Sequence, residues 1–208
     1  MVRDGYKFAA PPLLAGLVAL GFGFRWSAAL WAGIVLLLLA AFVAYFFRDP
    51  QRVIPNDSAA IVSPADGRVM EVVEEIFGGR PGQRISIFLA IWNVHVNRSP
   101  MAGRIEQIEY RPGRFYAAMR SRASEENEQN VIRLRTQRGD LVFKQIAGWV
   151  ARRVVCWKKP GDQVATGERI GLIRFGSRMD VWLPDGAEIL VKPGEHVAGG
   201  SSILARWT

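Results

Sequence analysis

Lys159-Pro160-Gly161-Asp162-Gln163-Val164-Ala165-Thr166-Gly167-Glu168-Arg169-Ile170 is echoed further along by Lys192-Pro193-Gly194-Glu195-His196-Val197-Ala198-Gly199-Gly200-Ser201-Ser202-Ile203. Each copy is a Pro-Gly turn that runs into a short strand, and two matching turn-and-strand units imply a fold of two pseudo-symmetric halves. Between the copies stands Arg174-Phe175-Gly176-Ser177-Arg178-Met179-Asp180. Glycine has no Cβ, so Ser177 Oγ can approach the Gly176 carbonyl carbon along the path of an N-to-O acyl shift. Loss of the residue 177 α-proton followed by β-elimination would free the upstream chain. Hydrolysis of the dehydroalanine left behind gives a pyruvoyl group. The competing reading of this stretch is an ordinary hairpin turn between strands at 170–174 and 179–183.

Outward from the repeat the chain reads as β-structure. Residues 84–91 alternate, with Ile85, Ile87, Leu89 and Ile91 on one face; Ile132 and Leu134 alternate with Arg133 and Arg135; Arg138-Gly139-Asp140 turns into Leu141-Val142-Phe143. Short strands between Gly and Pro turns predict a mainly β, compact, hybrid-barrel-like domain over residues 48–208. The linker Arg48-Asp49-Pro50-Gln51-Arg52-Val53-Ile54-Pro55 opens that domain. The spacing of the repeat is similar to the half-motif of biotinyl and lipoyl carrier domains, which would set residues 176–179 where a carrier presents its modified lysine. No lysine stands there.

Residues 1–47 differ in character. Residues 8–24 and 28–47 are apolar and uncharged, and Arg25-Trp26-Ser27 separates them. The second run is long enough to span a bilayer; the first, with Pro11-Pro12 near its start, is either a tilted span or a re-entrant segment. A transmembrane helical hairpin is the expectation, since a cleaved signal peptide leaves the second run unexplained. Arg3 and Lys7 flank its start and Arg48 and Arg52 its end, while the outer loop holds only Arg25. Both termini are therefore expected in the cytoplasm, with the domain on the cytoplasmic face of the cell (inner) membrane. The net charge of +8 lies mostly on residues 48–208; beside a membrane segment it points to anionic lipid rather than nucleic acid. A single cysteine, Cys156 in an apolar run, excludes an internal disulfide and reads as a buried small hydrophobe. No metal-ligand spacing is present.

Two histidines limit the choice of proton carrier. His95, at the end of an apolar strand in Asn93-Val94-His95-Val96-Asn97-Arg98, needs either a structural partner or a role. His196 sits in a charged turn and reads as solvated. Asp66, in Ser63-Pro64-Ala65-Asp66-Gly67, fits a β-turn and also fits the acid of a set: a hydroxyl of high pKa needs a base, and a histidine base needs an orienting carboxylate. Ser177, His95 and Asp66 supply that set. Asp180 competes with Asp66, but strand alternation turns it to the face opposite Ser177.

Phe47-Arg48-Asp49-Pro50 with Arg52 and Pro55, Ser63-Pro64-Ala65-Asp66-Gly67, Val94-His95-Val96-Asn97-Arg98, the stretch from Ala147-Gly148 to Cys156-Trp157, and Phe175-Gly176-Ser177 together carry a resemblance to a family. In these the chain resembles phosphatidylserine decarboxylase proenzymes of the short membrane-attached type. The resemblance implies self-cleavage at Gly176-Ser177 into a β-chain (1–176) and an α-chain (177–208) that stay together as a heterodimer, higher oligomers being open. It also implies a covalent pyruvoyl cofactor made from Ser177, and phosphatidylserine as substrate, converted to phosphatidylethanolamine and CO2. Long forms have two histidines three apart near His95; here Arg98 occupies the second position, so cleavage and decarboxylation cannot be divided between two rings. Arg98, Arg111 and Arg114 are the candidates for holding substrate phosphate or carboxylate, and residues 111–122 equally suit a solvated loop facing anionic lipid. The alternatives are a non-catalytic hybrid-barrel module on a membrane tether and a decarboxylase of another serine-headed (ether) lipid.

Overall fold

The computed structural model describes residues 1–120, 122–149, 153–174 and 176–208. Phe175, and part of the stretch between Gly148 and Cys156, lie outside the described residues. The chain forms two compact units, Met1–Pro50 and Gln51–Thr208.

The first unit is a pair of packed helices, α1 (Arg3–Phe22) and α2 (Ser27–Phe46), each long and apolar enough to cross a membrane. Pro11 and Pro12 lie inside α1, so the first apolar run is one continuous helix. Small residues let the pair pack closely: a Cβ on Gly33 would stand 2.8 Å from the Leu20 side chain.

The second unit is mainly β. Its elements are β1 (Ala60–Val62), β2 (Gly67–Glu74), β3 (Gly82–Leu89), β4 (Val96–Arg98), β5 (Gly103–Arg111), the short α3 (Ala123–Glu126), β6 (Gln129–Arg135) and β7 (Asp140–Ile146). They continue with β8 (Val154–Cys156), β9 (Gln163–Val164), β10 (Arg169–Ile173), β11 (Ser177–Pro184), β12 (Ala187–Ile189), β13 (His196–Val197) and β14 (Ile203–Trp207). An eight-stranded curled half-barrel sheet has the order β13-β2-β3-β11-β7-β6-β5-β9, and two three-stranded sheets have the orders β1-β14-β12 and β4-β10-β8. Ile85, Ile87, Leu89, Ile132, Leu134, Met179 and Val181 meet in the core, as the alternation requires.

The expected pseudo-symmetry is present, and it reaches further than the Lys-Pro-Gly repeat. The order of the large sheet is a palindrome about β11 and β7, in which β13, β2 and β3 answer to β9, β5 and β6, and the two small sheets answer to each other. A second sequence pair underlies this: Ser63-Pro64-Ala65-Asp66-Gly67-Arg68 and Ser99-Pro100-Met101-Ala102-Gly103-Arg104. Each docks on one Lys-Pro-Gly turn through the same bonds. Gly200 N–H donates to Ser63 O (2.7 Å) and Gly167 N–H to Ser99 O (2.8 Å); Gly194 N–H donates to Val69 O and Gly161 N–H to Ile105 O, both 2.8 Å. One half is continuous, from β4 to β10. It is inserted into the other, β1 to β3 plus β11 to β14, so Gly176-Ser177 is where the chain re-enters the interrupted half.

This topology removes the hairpin reading of Gly176-Ser177. The strands before and after it belong to different sheets: β10 pairs with β4 and β8, β11 with β3 and β7.

Candidate active site

One row of paired residues crosses the large sheet near its end, Arg68–Phe88–Arg178–Ile146–Gln129–Arg111. Beyond it, at the same end, come Asp66, the turn after β3 that leads to His95, Ser177, residues 147–149, and the segment between β5 and β6. Sequence-distant candidates thus meet at one sheet end.

Ser177 opens β11 opposite Leu89 and is fully buried. Its Oγ has no hydrogen-bond partner among the described residues. A buried hydroxyl left so costs about 1–3 kcal/mol, which a merely structural serine has no reason to bear. Gly176 has φ +62°, the left-handed region in which a side chain would be strained. Its carbonyl oxygen lies against Gly148: a Cβ built on Gly148 would stand 2.0 Å from Gly176 O. Only glycine at 148 leaves room for the carbonyl that Ser177 would attack.

His95 is buried, and its Nδ1 is 2.9 Å from the carbonyl oxygen of Asn93. A carbonyl only accepts, so the neutral ring carries its proton on Nδ1 and Nε2 is the basic nitrogen. Asn93 is itself fixed by closing the turn after β3: its N–H donates to Ala90 O and its Oδ1 accepts from Ala90 N–H, both 2.9 Å. The same turn ends β3 at Leu89 and throws Ile91 outward, where strict alternation had set it in the core. It is 41% exposed.

Asp66 stands at this end but spends its oxygens elsewhere. Arg52 Nη2 donates to both, at 2.8 and 2.7 Å, and Gly199 N–H donates to Oδ1 at 2.8 Å. The tautomer-setting contact at His95 Nδ1 is thus the Asn93 carbonyl, where sequence reasoning had assigned Asp66. In the other half the residue equivalent to Asp66 is Ala102, so the carboxylate is a departure from the symmetry rather than a demand of it.

Asp180 is buried on the opposite face and belongs to a charge network. Arg178 Nε donates to its Oδ1 and Ser124 Oγ to its Oδ2, both at 2.6 Å; Arg178 Nη2 also reaches Glu71 (2.9 Å) and Ser86 Oγ (2.7 Å). Desolvation pushes the Glu71 pKa up, but Arg84 and Arg178 outweigh that and leave it below the ordinary carboxylate value. Lys144, opposite Asp180 on β7, is pushed down by desolvation. The network anchors β11 immediately behind Ser177. Asp180→Ala should leave Arg178 buried without its closest carboxylate and cost about 3–5 kcal/mol. Thermal unfolding of the full chain in detergent measures this, and a loss below about 1 kcal/mol would show the network to be dispensable.

The three candidate arginines separate. Arg98 is buried and its Nη1 donates to Gly167 O (3.0 Å), a bond within the half that runs from β4 to β10. Arg111 is held in a fork by Glu109 (2.8 and 3.0 Å), and Arg114 donates to the Tyr116 hydroxyl (2.7 Å); both are exposed at the Ser177 end. Cys156 is partly buried against the core and its thiol pKa is raised by burial, in keeping with an inert role. Sequence reasoning gave no site role to Asn93, Arg52 or Gly148, although Arg52 and Gly148 stand among the residues that carry the resemblance.

A bound pyruvoyl group supplies an electron sink for a departing carboxylate. The residues fit its formation at position 177: a buried, partnerless hydroxyl, a left-handed glycine before it, and a histidine whose basic nitrogen is fixed.

The sequence comparisons agree with this chemistry. The family model described as phosphatidylserine decarboxylase matches residues 39–205. A phosphatidylserine decarboxylase proenzyme from Solibacter usitatus (strain Ellin6076) is 52% identical over 181 residues, covering 87% of this chain and 86% of that protein. A lone buried serine hydroxyl beside a left-handed glycine, within a chain so matched along most of its length, leaves one conclusion: the chain belongs to the phosphatidylserine decarboxylase family, the pyruvoyl-dependent carboxy-lyases.

Proposed function

We propose that the precursor cuts its own Gly176–Ser177 bond and that the resulting two-chain enzyme decarboxylates phosphatidylserine. The observation that carries this reading is the buried Ser177 hydroxyl without a partner, next to a carbonyl that Gly148 leaves room for. His95 Nε2 takes the Ser177 proton as Oγ adds to the Gly176 carbon; the C–N bond then breaks, the amine leaves protonated, and an ester joins residues 176 and 177. Removal of the 177 α-proton expels the Gly176 carboxylate from Cβ. One water then replaces the nitrogen as ammonia and leaves the ketone on residue 177.

Asn93 holds the His95 ring in the required tautomer, and Asp66 positions the neighbouring turn through Gly199 and Arg52. In the decarboxylation step His95 serves as the proton donor, and Arg114 is the cation available at the site's rim for the lipid headgroup. Residues 177–208 would remain in place after cleavage. β11 lies between β3 and β7 and β14 between β1 and β12, so the small chain is woven into sheets of the large one. The cation pattern around the helices favours the cytoplasmic face of the membrane.

Intact mass spectrometry tests the reading. Purified active protein should yield one fragment ending at Gly176 and one starting at residue 177 with a pyruvoyl group in place of the amine, blocked to Edman sequencing. The two fragments should co-purify until denatured. A homogeneous, unmodified full-length mass from active protein would refute it.

A further inference from the structure

Four large apolar side chains stand in solvent around the sheet end that holds Ser177. Trp92 is 65% exposed, Met119 65%, Trp149 69% and Ile91 41%. They come from three segments that the fold brings together. Ile91 and Trp92 sit on the turn after Leu89, the partner of Ser177; Trp149 follows Gly148, the neighbour of the Gly176 carbonyl. Met119 rides on the segment between β5 and β6. That segment is tied to the same place by Asn127, whose Nδ2 donates to Ala147 O (2.7 Å) and Tyr116 O (2.9 Å). Trp92 and Met119 line one cleft of about 470 Å³ that also has Arg68 in its lining.

A soluble surface seldom gathers two tryptophans, a methionine and an isoleucine on adjoining loop tips. Tryptophan is at its best at a bilayer boundary, where the ring lies among headgroups and its N–H stays wet. The charge beside the patch has the matching sign: residues 111–122 contain four arginines and no acidic residue. Cations beside exposed aromatics suit the anionic headgroup layer of a membrane rather than a protein core. From this we infer that the Ser177 end of the β domain docks into an anionic bilayer surface, with Trp92, Met119 and Trp149 seated at headgroup depth, so that a lipid enters the site sideways without crossing water. The inference rests on Ser177 being the reaction centre for a lipid substrate.

The test uses the full chain with Cys156→Ala, carrying one new cysteine at Met119 or at Ile76. Ile76 is equally apolar and 74% exposed, but it follows β2 at the opposite end of the sheet. Each is labelled with an environment-sensitive fluorophore and reconstituted in vesicles of phosphatidylcholine and phosphatidylserine, with a lipid bearing a quencher high on its acyl chain. The probe at 119 should shift to the blue and lose roughly half or more of its emission, as expected a few ångströms into the interface, and the probe at 76 should do neither. Equal quenching at both positions, or none at 119, overturns the docking. A denaturing gel of the same samples reads self-cleavage independently, so failure of the docking and failure of the processing reading remain distinguishable.

Discussion

Ser177→Ala is expected to leave a folded, full-length, inactive chain in which no fragment ending at Gly176 can be found. The hydroxyl is the proposed attacking group at that carbonyl, and the alanine fills the same buried site opposite Leu89 while removing an oxygen that has no partner to lose among the described residues. Stability should therefore hold or rise slightly, because an unsatisfied polar atom is removed from the interior. Unchanged melting together with complete loss of cleavage and of CO2 release is the combined signature; fragments from this variant would place the nucleophile elsewhere. His95→Ala removes the proposed base and should slow cleavage by about a hundred- to ten-thousand-fold. Asp66→Ala should slow it less than His95→Ala, since Asn93 O keeps the ring's tautomer while the Arg52 and Gly199 contacts loosen. Equal slowing by both variants, measured as the fraction cleaved against time, would restore Asp66 as the group that orients the ring.

The legible part of the fold was its periodic and repeated part. Alternation over residues 84–91 located a strand and its buried face because period-2 patterning records burial directly. It failed at Ile91 for a physical reason: the Ala90 to Asn93 turn is closed by the Asn93 side chain, a local bond that composition does not reveal. The Lys-Pro-Gly repeat exposed the two halves, but its partner repeat, Ser63 to Arg68 against Ser99 to Arg104, was not recognised as a repeat. Read with the first, it would have marked Asp66 as the residue that breaks the symmetry. The insertion of one half into the other could not be read at all, because which strands pair is a long-range matter. Ser177, His95 and Asp66 were singled out as candidates by residue chemistry and resemblance. Their second contacts, Asn93 O on the ring and Arg52 on the carboxylate, were not. A backbone carbonyl has no letter in the sequence, and nothing in spacing tells a carboxylate which cation will claim it.

Gly148→Ala is expected to block maturation almost as fully as loss of the nucleophile, although residue 148 has no side chain and takes part in no proton transfer. The added carbon would lie 2.0 Å from Gly176 O and 3.0 Å from its carbonyl carbon. Both are far inside contact distance, and the neighbour is backbone, which cannot swing aside as a flexible side chain would. The strands must part locally, and the carbon under attack moves away from Ser177 Oγ. Attack on a carbonyl tolerates little of this, and a shift of about 1 Å is enough to cost roughly a hundred-fold. The paired rows from Arg178 and Ile146 outward are held by the β11–β7 ladder and the charge network behind it, so the domain should still fold, with a melting point lowered but measurable. Hydroxylamine separates the two stages at which such a chain could stall, because it cleaves an ester but leaves a peptide bond intact. If the bad contact prevents attack, the full-length chain survives hydroxylamine. If instead the ester forms and only its elimination is blocked, the reagent releases fragments ending at residue 176. A folded Gly148→Ala chain that matures at the wild-type rate would show that the Gly176 carbonyl is not held by its neighbour at all.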